Sequence, residues 1–164
     1  MKIKHLLLAM VCMCIAFSSF AQTSDEEAEA IVKLLGVQKK EAIAKLVSVT
    51  GKDSVAFWKL YNEYNDKNLV TGKARIRLYE KTARAYGNMT PAVADSLATS
   101  YFSNRFAQEK SLEEYYKKIK TATSSVVAFE FYQAEVYLLT QIRASIMQQI
   151  PTYGEFQSAV KKSR

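Results

Sequence analysis

The chain has 164 residues, a formal net charge of +7 at pH 7, two cysteines and one histidine. His5, Cys12 and Cys14 all lie within the first 21 residues. Without that segment, no side chain remains for a Ser-His-Asp triad, a cysteine nucleophile, an imidazole or thiolate zinc site, or a disulfide. We therefore predict a protein that is not an enzyme and that carries no cofactor or metal.

The N-terminal segment has the pattern of a secretory signal peptide. Two early lysines precede an apolar run from Leu6 to Phe17, and the small residues Ser19 and Ala21 follow it. The run is shorter than the roughly 20 apolar residues that a transmembrane helix needs. We predict that residues 1–21 are a cleaved signal peptide and that the mature protein is periplasmic. An uncleaved anchor and lipidation at an early cysteine are the alternatives.

Apolar residues with helical spacing dominate the rest of the chain, and the pattern breaks near the scarce glycines and prolines. We predict an all-α fold with four long helices in one domain over residues 22–151, followed by a loosely ordered tail over 152–164. The helices are predicted to begin at Ser24, at Thr50, at Thr90-Pro91 and after Thr123-Ser124. The first ends near Val49, the second reaches Tyr86, and the fourth stops before Pro151.

A threonine follows an apolar residue at three of these helix starts, namely at Thr50, Thr90 and Thr123. A hydroxyl at the N-cap accepts a hydrogen bond from an amide of the first turn. Pro91 suits the first helical position because its missing N–H has no partner there in any case. We predict that all three threonines are N-caps.

Apolar residues three and four apart indicate the sides that each helix buries. In the third helix this side is predicted to contain Ala98, Phe102, Leu112, Tyr116 and Ile119. The fourth helix has two apolar sides: Phe129 and Tyr132 begin one, and Phe131, Leu138 and Ile142 form the other. Such a helix is predicted to be central or to lie at a subunit interface.

The segment "AFWKLYNEYND", residues 56–66, places the single tryptophan, Trp58, beside Tyr61 and Tyr64. Aromatic residues at helical spacing usually pack in a core. Tyrosine and tryptophan are also enriched at protein interfaces. We therefore keep two interpretations of these three residues, as a core stripe and as a binding surface for client or partner proteins.

The second helix also carries a basic stripe. Residues 67–84 contain six basic side chains and one acid, Glu80. The stripe itself is formed by residues three and four apart: Lys73, Arg77, Lys81 and Arg84. Such a face can accelerate encounter with acidic partners. It can equally be an ordinary solvated face with local ion pairs. The chain has no nucleic-acid-binding motif, so we predict no nucleic acid partner.

Two segments resemble a known family. "KKEAIAKLVSVTGKDSVAFWKLYNEYND" is similar to the first half of Spy/CpxP-type periplasmic proteins, in a divergent branch of the family. "VAFEFYQAEVYLLTQIRASIMQQIP" is similar to their closing helix. The resemblance covers about residues 39–151. The family's Leu-Thr-x-x-Gln motif is degenerate here, since Thr50 and Thr123 keep only its threonine.

The resemblance implies a thin, cradle-shaped, intertwined homodimer without stable membrane insertion once the signal peptide is removed. It also implies a function in envelope stress. The leading expectation is an ATP-independent chaperone that binds unfolded or partly folded envelope proteins. The alternative is an adaptor that docks on a membrane sensor protein and regulates it. The candidate binding residues are Trp58, Tyr61, Tyr64, Lys73, Arg77, Lys81 and Arg84.

Overall fold

The computed structural model describes residues 25–148, with side-chain surroundings from Ala28 onward. The predicted signal peptide and the predicted C-terminal tail lie outside these residues. Ser24, where the first helix is predicted to begin, also lies outside them.

Four α-helices make up the described chain: α1 spans Asp25–Leu46, α2 Gly51–Ala85, α3 Pro91–Ala122 and α4 Ser125–Met147. A short 3-10 helix, Tyr86–Asn88, joins α2 to α3. Residues 25–148 contain no β-strand. The prediction of an all-α fold with four long helices is therefore confirmed. None of these helices combines the length and the apolar character that would let it cross a bilayer.

The helix starts confirm Thr50 and Thr90 as N-cap residues, and Thr90 alone of the two caps with its side chain. Thr90 accepts a hydrogen bond from the Val93 amide at 3.3 Å. Thr50 is at the N-cap of α2 but makes no side-chain cap bond, and Gly51 after it has a left-handed conformation, with φ 59°. The prediction for Thr123 is wrong: its hydroxyl donates to the Ile119 carbonyl at the end of α3, and Ser124 caps α4 instead.

Side-chain contacts show that successive helices are antiparallel. Between α2 and α3, Lys67 bonds Glu114 and Arg75 bonds Asn104, so residue numbers rise on one helix as they fall on the other. The same relation holds for α1 with α2, for α3 with α4 and for α1 with α4. The described helices thus pack as an up-and-down bundle in which α4 returns to α1.

The core lies where all four helices meet. Its largest fully buried side chains are Ile43, Phe57, Tyr61, Tyr64, Leu112, Ile119, Phe131, Glu135 and Leu138. Aromatic rings dominate one part of it: Phe131 lies edge-on to Phe57, Tyr61 and Tyr64, with centroids 5.4–6.3 Å apart. This edge-to-face geometry is favourable for aromatic rings beyond the area that they bury. The ring cluster fixes the relative positions of α2 and α4.

The helices α1 and α2 approach closely at Gly72. A Cβ atom at this position would lie 2.9 Å from Cγ1 of Val32. The absence of a side chain at Gly72 therefore lets the two backbones pack together beside the core. Gly72 also lines a cavity, together with Leu69, Arg75 and Ile76 of α2 and residues of α1 and α4.

Candidate functional site

The aromatic segment of α2 lies largely in the core. Tyr61 and Tyr64 are buried, and so is Phe57 of the same stripe. Trp58 is half-buried and lies edge-on to Phe57 and Tyr61, with centroids 5.0 and 5.6 Å apart. Tyr61 and Tyr64 are therefore core residues, and in this arrangement they are too buried to contact a client. A binding role for Trp58 stays a prediction.

A buried carboxylate organises the same region. Glu135 of α4 has no solvent exposure and forms an ion pair with Lys39 of α1 at 3.0 Å. The Tyr64 and Tyr61 hydroxyls donate to its two oxygens at 3.0 and 3.2 Å. Each hydrogen bond compensates part of the desolvation of the charge. The four side chains connect α1, α2 and α4 through one polar centre inside an apolar core.

This polar centre keeps its tyrosines protonated. Burial raises the pKa of both Tyr61 and Tyr64, and the neighbouring Glu135 carboxylate raises it further. Both hydroxyls therefore remain hydrogen-bond donors at neutral pH. Because Glu135 holds Lys39 and both tyrosine hydroxyls, the centre has the properties of a structural network. Glu135 was not among the predicted site residues, although it is the lone acid in the apolar run "FYQAEVYLL".

The basic stripe of α2 has a half-buried N-terminal half and an exposed C-terminal half. Lys73 is half-buried and donates to Glu29 of α1 at 2.8 Å. Arg84 pairs with Glu80 on its own helix at 2.7 Å. Arg77 is half-buried, whereas Lys81 and Arg84 are exposed. The four residues do not form one continuous solvated face, because the N-terminal half of the stripe packs against its neighbours. Electrostatic steering of clients by the stripe stays a prediction.

An exposed aromatic groove lies between α3 and α4, on the side of α4 that was predicted to be buried. We define the aromatic groove by its apolar lining residues, Phe106, Leu112, Tyr116, Phe129 and Tyr132. Phe106 is 73% exposed and Phe129 54% exposed. The Tyr132 ring is 6.5 Å from Tyr116 and 6.4 Å from Phe129 between centroids.

The aromatic groove corrects two predictions of burial. Phe102, one turn before Phe106, is 64% exposed, and Ala98, predicted on the same buried side, is exposed as well, because no helix among residues 25–148 covers this side of α3. Phe129 and Tyr132 are exposed because α4 turns its other apolar side, with Phe131 and Leu138, toward the core. The groove has a volume of about 690 Å³, and charged side chains of both signs, Glu109, Lys110 and Glu113, border it.

Large exposed aromatic residues that adjoin one another are unusual on a protein without partners. Tyrosine and phenylalanine are enriched where proteins bind each other, since they offer large contact areas at low cost in side-chain entropy. The mixed charges at the border suit the polar rim of an interface. The aromatic groove is therefore the part of the described surface best suited to bind another protein.

Neither potential metal ligands nor similarity to known proteins assigns a function to the described helices. Within the described helices, His, Cys, Asp and Glu form no group of three or more that could hold a metal ion. Comparison of the chain with protein-family models, with curated proteins and with solved structures finds no match. The resemblance to Spy/CpxP-type proteins stays a prediction.

Proposed function

We propose that this protein is a non-enzymatic periplasmic binding protein that shields exposed apolar segments of other proteins in the aromatic groove. The supporting observation is the adjacent placement of Phe106, Phe129 and Tyr132 on an open surface. Binding of this kind requires no nucleotide, because apolar surface leaves water when a segment docks and is rehydrated when it leaves. A periplasmic location rests on the signal-peptide pattern of residues 1–21.

The groove suits short-lived contacts with many segments. Its aromatic walls offer contact area without demanding a particular sequence, and its open shape accepts side chains of different size. Interfaces well below about 1,200 Å² of buried surface are typically weak and transient. A groove of about 690 Å³ engages only a few residues of a client at once. Fast release is what a chaperone without ATP hydrolysis needs.

The second candidate function is that of an adaptor for one membrane sensor. The observation in its favour is the border of the groove, where Glu109, Lys110 and Glu113 alternate in sign. Charges at an interface rim discriminate between partners more than they strengthen binding.

The cradle-shaped homodimer is a part of both proposals, and sedimentation of the mature protein measures the oligomeric state directly.

Aggregation assays with two unrelated clients test the proposal. Reduced α-lactalbumin and heat-unfolded citrate synthase are mixed with the mature protein, and light scattering is recorded. Phe106→Ser combined with Phe129→Ser should abolish most of the suppression of aggregation while circular dichroism stays unchanged. The matched control is Val55→Ser combined with Val70→Ser, which removes two apolar side chains of α2 that are at least as exposed as Phe106 and Phe129. The control should suppress aggregation as the parent does.

The outcomes separate the two functions. If the parent protects neither client, the chaperone proposal is wrong and the adaptor remains. If the parent protects both clients and the groove variant does so equally well, another surface binds them.

A further inference from the structure

A second cavity lies between α1, α2 and α4, and Gln108 of α3 contributes to its lining. Its volume is about 710 Å³, within the range of about 300–1,000 Å³ that is typical of small-molecule sites. Its apolar walls are formed by Val32, Leu35, Val37, Leu69, Ile76, Leu139, Ile142 and Ile146. Basic and amide side chains occupy the remaining wall, and Asp66 is the acid among the lining residues. The cavity is therefore amphipathic, with a long apolar part and a polar part of positive character.

Arg75 is the half-buried cation of this cavity. Its Nε donates to the Asn104 side-chain oxygen at 2.9 Å, and Asn104 in turn donates to the Thr71 carbonyl at 2.9 Å. The first bond holds the guanidinium through its Nε, the second orients the Asn104 amide, and the terminal nitrogens of Arg75 are left for another acceptor. Among residues 25–148, no carboxylate forms an ion pair with Arg75. By contrast, Lys39 of the same cavity is already paired with Glu135.

Other cations add to the positive potential at Arg75. Arg143 of α4 donates to the Gln108 side-chain oxygen at 2.9 Å, and the buried Gln108 lines the cavity. Burial lowers the pKa of Arg75, and the positive charges of Arg143 and Arg105 lower it further. A half-buried guanidinium that faces like charges is a site where an anion gains Coulomb energy and also relieves repulsion.

We propose that the cavity binds an amphipathic anion with a carboxylate head and an aliphatic chain, such as a medium-chain fatty acid. The head lies at the terminal nitrogens of Arg75, whose planar fork matches the two oxygens of a carboxylate. The chain lies along the apolar wall formed by α1 and α4. This site is separate from the aromatic groove and does not depend on the proposed function.

Calorimetry with sodium dodecanoate below its critical micelle concentration tests the site. The mature protein should bind about one equivalent, and dodecyltrimethylammonium, with the same chain and the opposite charge, should bind at least ten-fold more weakly. Arg75→Met should weaken dodecanoate binding at least ten-fold. Arg84→Met makes the same substitution on the same helix outside the cavity lining, and it should bind as the parent does. Equal affinity for the two amphiphiles would overturn the assignment of the head group.

Glycine amides locate the ligand independently of affinity. Gly36 and Gly72 line the cavity, whereas Gly51 and Gly87 lie outside its lining. In a ¹H–¹⁵N spectrum, dodecanoate should shift the first pair and leave the second pair in place. Ile142→Trp should abolish binding by filling the apolar part with Arg75 intact, which keeps the proposal testable if Arg75→Met does not fold. Phe106→Ser should leave dodecanoate affinity unchanged. Loss of binding in that variant, or shifts restricted to the second glycine pair, would show that the amphiphile binds elsewhere.

Discussion

Two clusters of aromatic side chains in this protein have similar spacing along their helices and opposite environments. In the core, Phe57, Tyr61 and Tyr64 of α2 are covered by α4 through Phe131. In the aromatic groove, Phe129 and Tyr132 of α4 are three residues apart and are exposed. Helical spacing thus shows which residues share a face, but the packing of neighbouring helices decides whether that face is covered. The two clusters can be compared by experiment because α4 contributes Phe131 to the core cluster and Phe129 to the aromatic groove.

The largest difference is expected between Phe131→Ala and Phe129→Ala, two residues apart in α4. Phe131 is fully buried among three aromatic rings, so its truncation leaves a cavity and should lower the free energy of unfolding by about 3–5 kcal/mol. Phe129 is 54% exposed, and its truncation should change the free energy by less than about 1 kcal/mol. Urea denaturation of both variants measures the difference. Similar losses would show that the groove is covered in solution.

The next prediction compares the loss of a carboxylate in the core with the loss of one at the border of the aromatic groove. Glu135→Ala leaves Lys39 buried without its partner and two tyrosine hydroxyls without their acceptor, so it should destabilise the fold by about 3–5 kcal/mol. Glu113, at the border of the groove, pairs with Lys117 on an exposed helix surface. Glu113→Ala should leave the denaturation midpoint unchanged, because exposed ion pairs contribute little.

A double variant separates the ion pair from the packing around it. Replacing Lys39 with Met and Glu135 with Leu removes both charges together and should recover a large part of the stability that Glu135→Ala loses. If the double variant is as unstable as the single one, the tyrosine hydroxyls and not the ion pair are responsible for the loss.

The helices could be predicted from the sequence because their signals are local. Gly51, Pro91 and the Ser/Thr residues near them mark the breaks, and the apolar periodicity between breaks is helical. Cap details were less predictable: Thr123 and Ser124 are adjacent and have similar side chains, and only the backbone geometry selects Ser124.

The sites could not be predicted to the same degree because they depend on contacts between distant residues. Phe129 and Phe131 lie on different sides of α4, both sides are apolar, and nothing local indicates which one α2 covers. Glu135 and Lys39 are 96 residues apart. Arg75 belonged to the basic run, but its amphipathic cavity exists only once α1 and α4 pack beside α2.

The smallest expected effect concerns Lys73, the member of the basic stripe that contacts α1. The ion pairs of Glu29 with Lys33 and Lys73 lower the pKa of that carboxyl to about 2 from 4.5. A lowered pKa in the folded state means that the pairs contribute stability above about pH 4.5 and that this contribution is lost as the pH falls from 4.5 toward 2. Because Glu29 is partly solvated, the effect on overall stability should be small. Lys73→Gln should raise the pKa of Glu29 toward its ordinary value, whereas Lys81→Gln, an exposed position on the same helix, should leave it unchanged. Carboxyl ¹³C shifts in a pH titration measure this pKa for each variant. An unchanged pKa in Lys73→Gln would show that Lys73 does not contact α1 in solution.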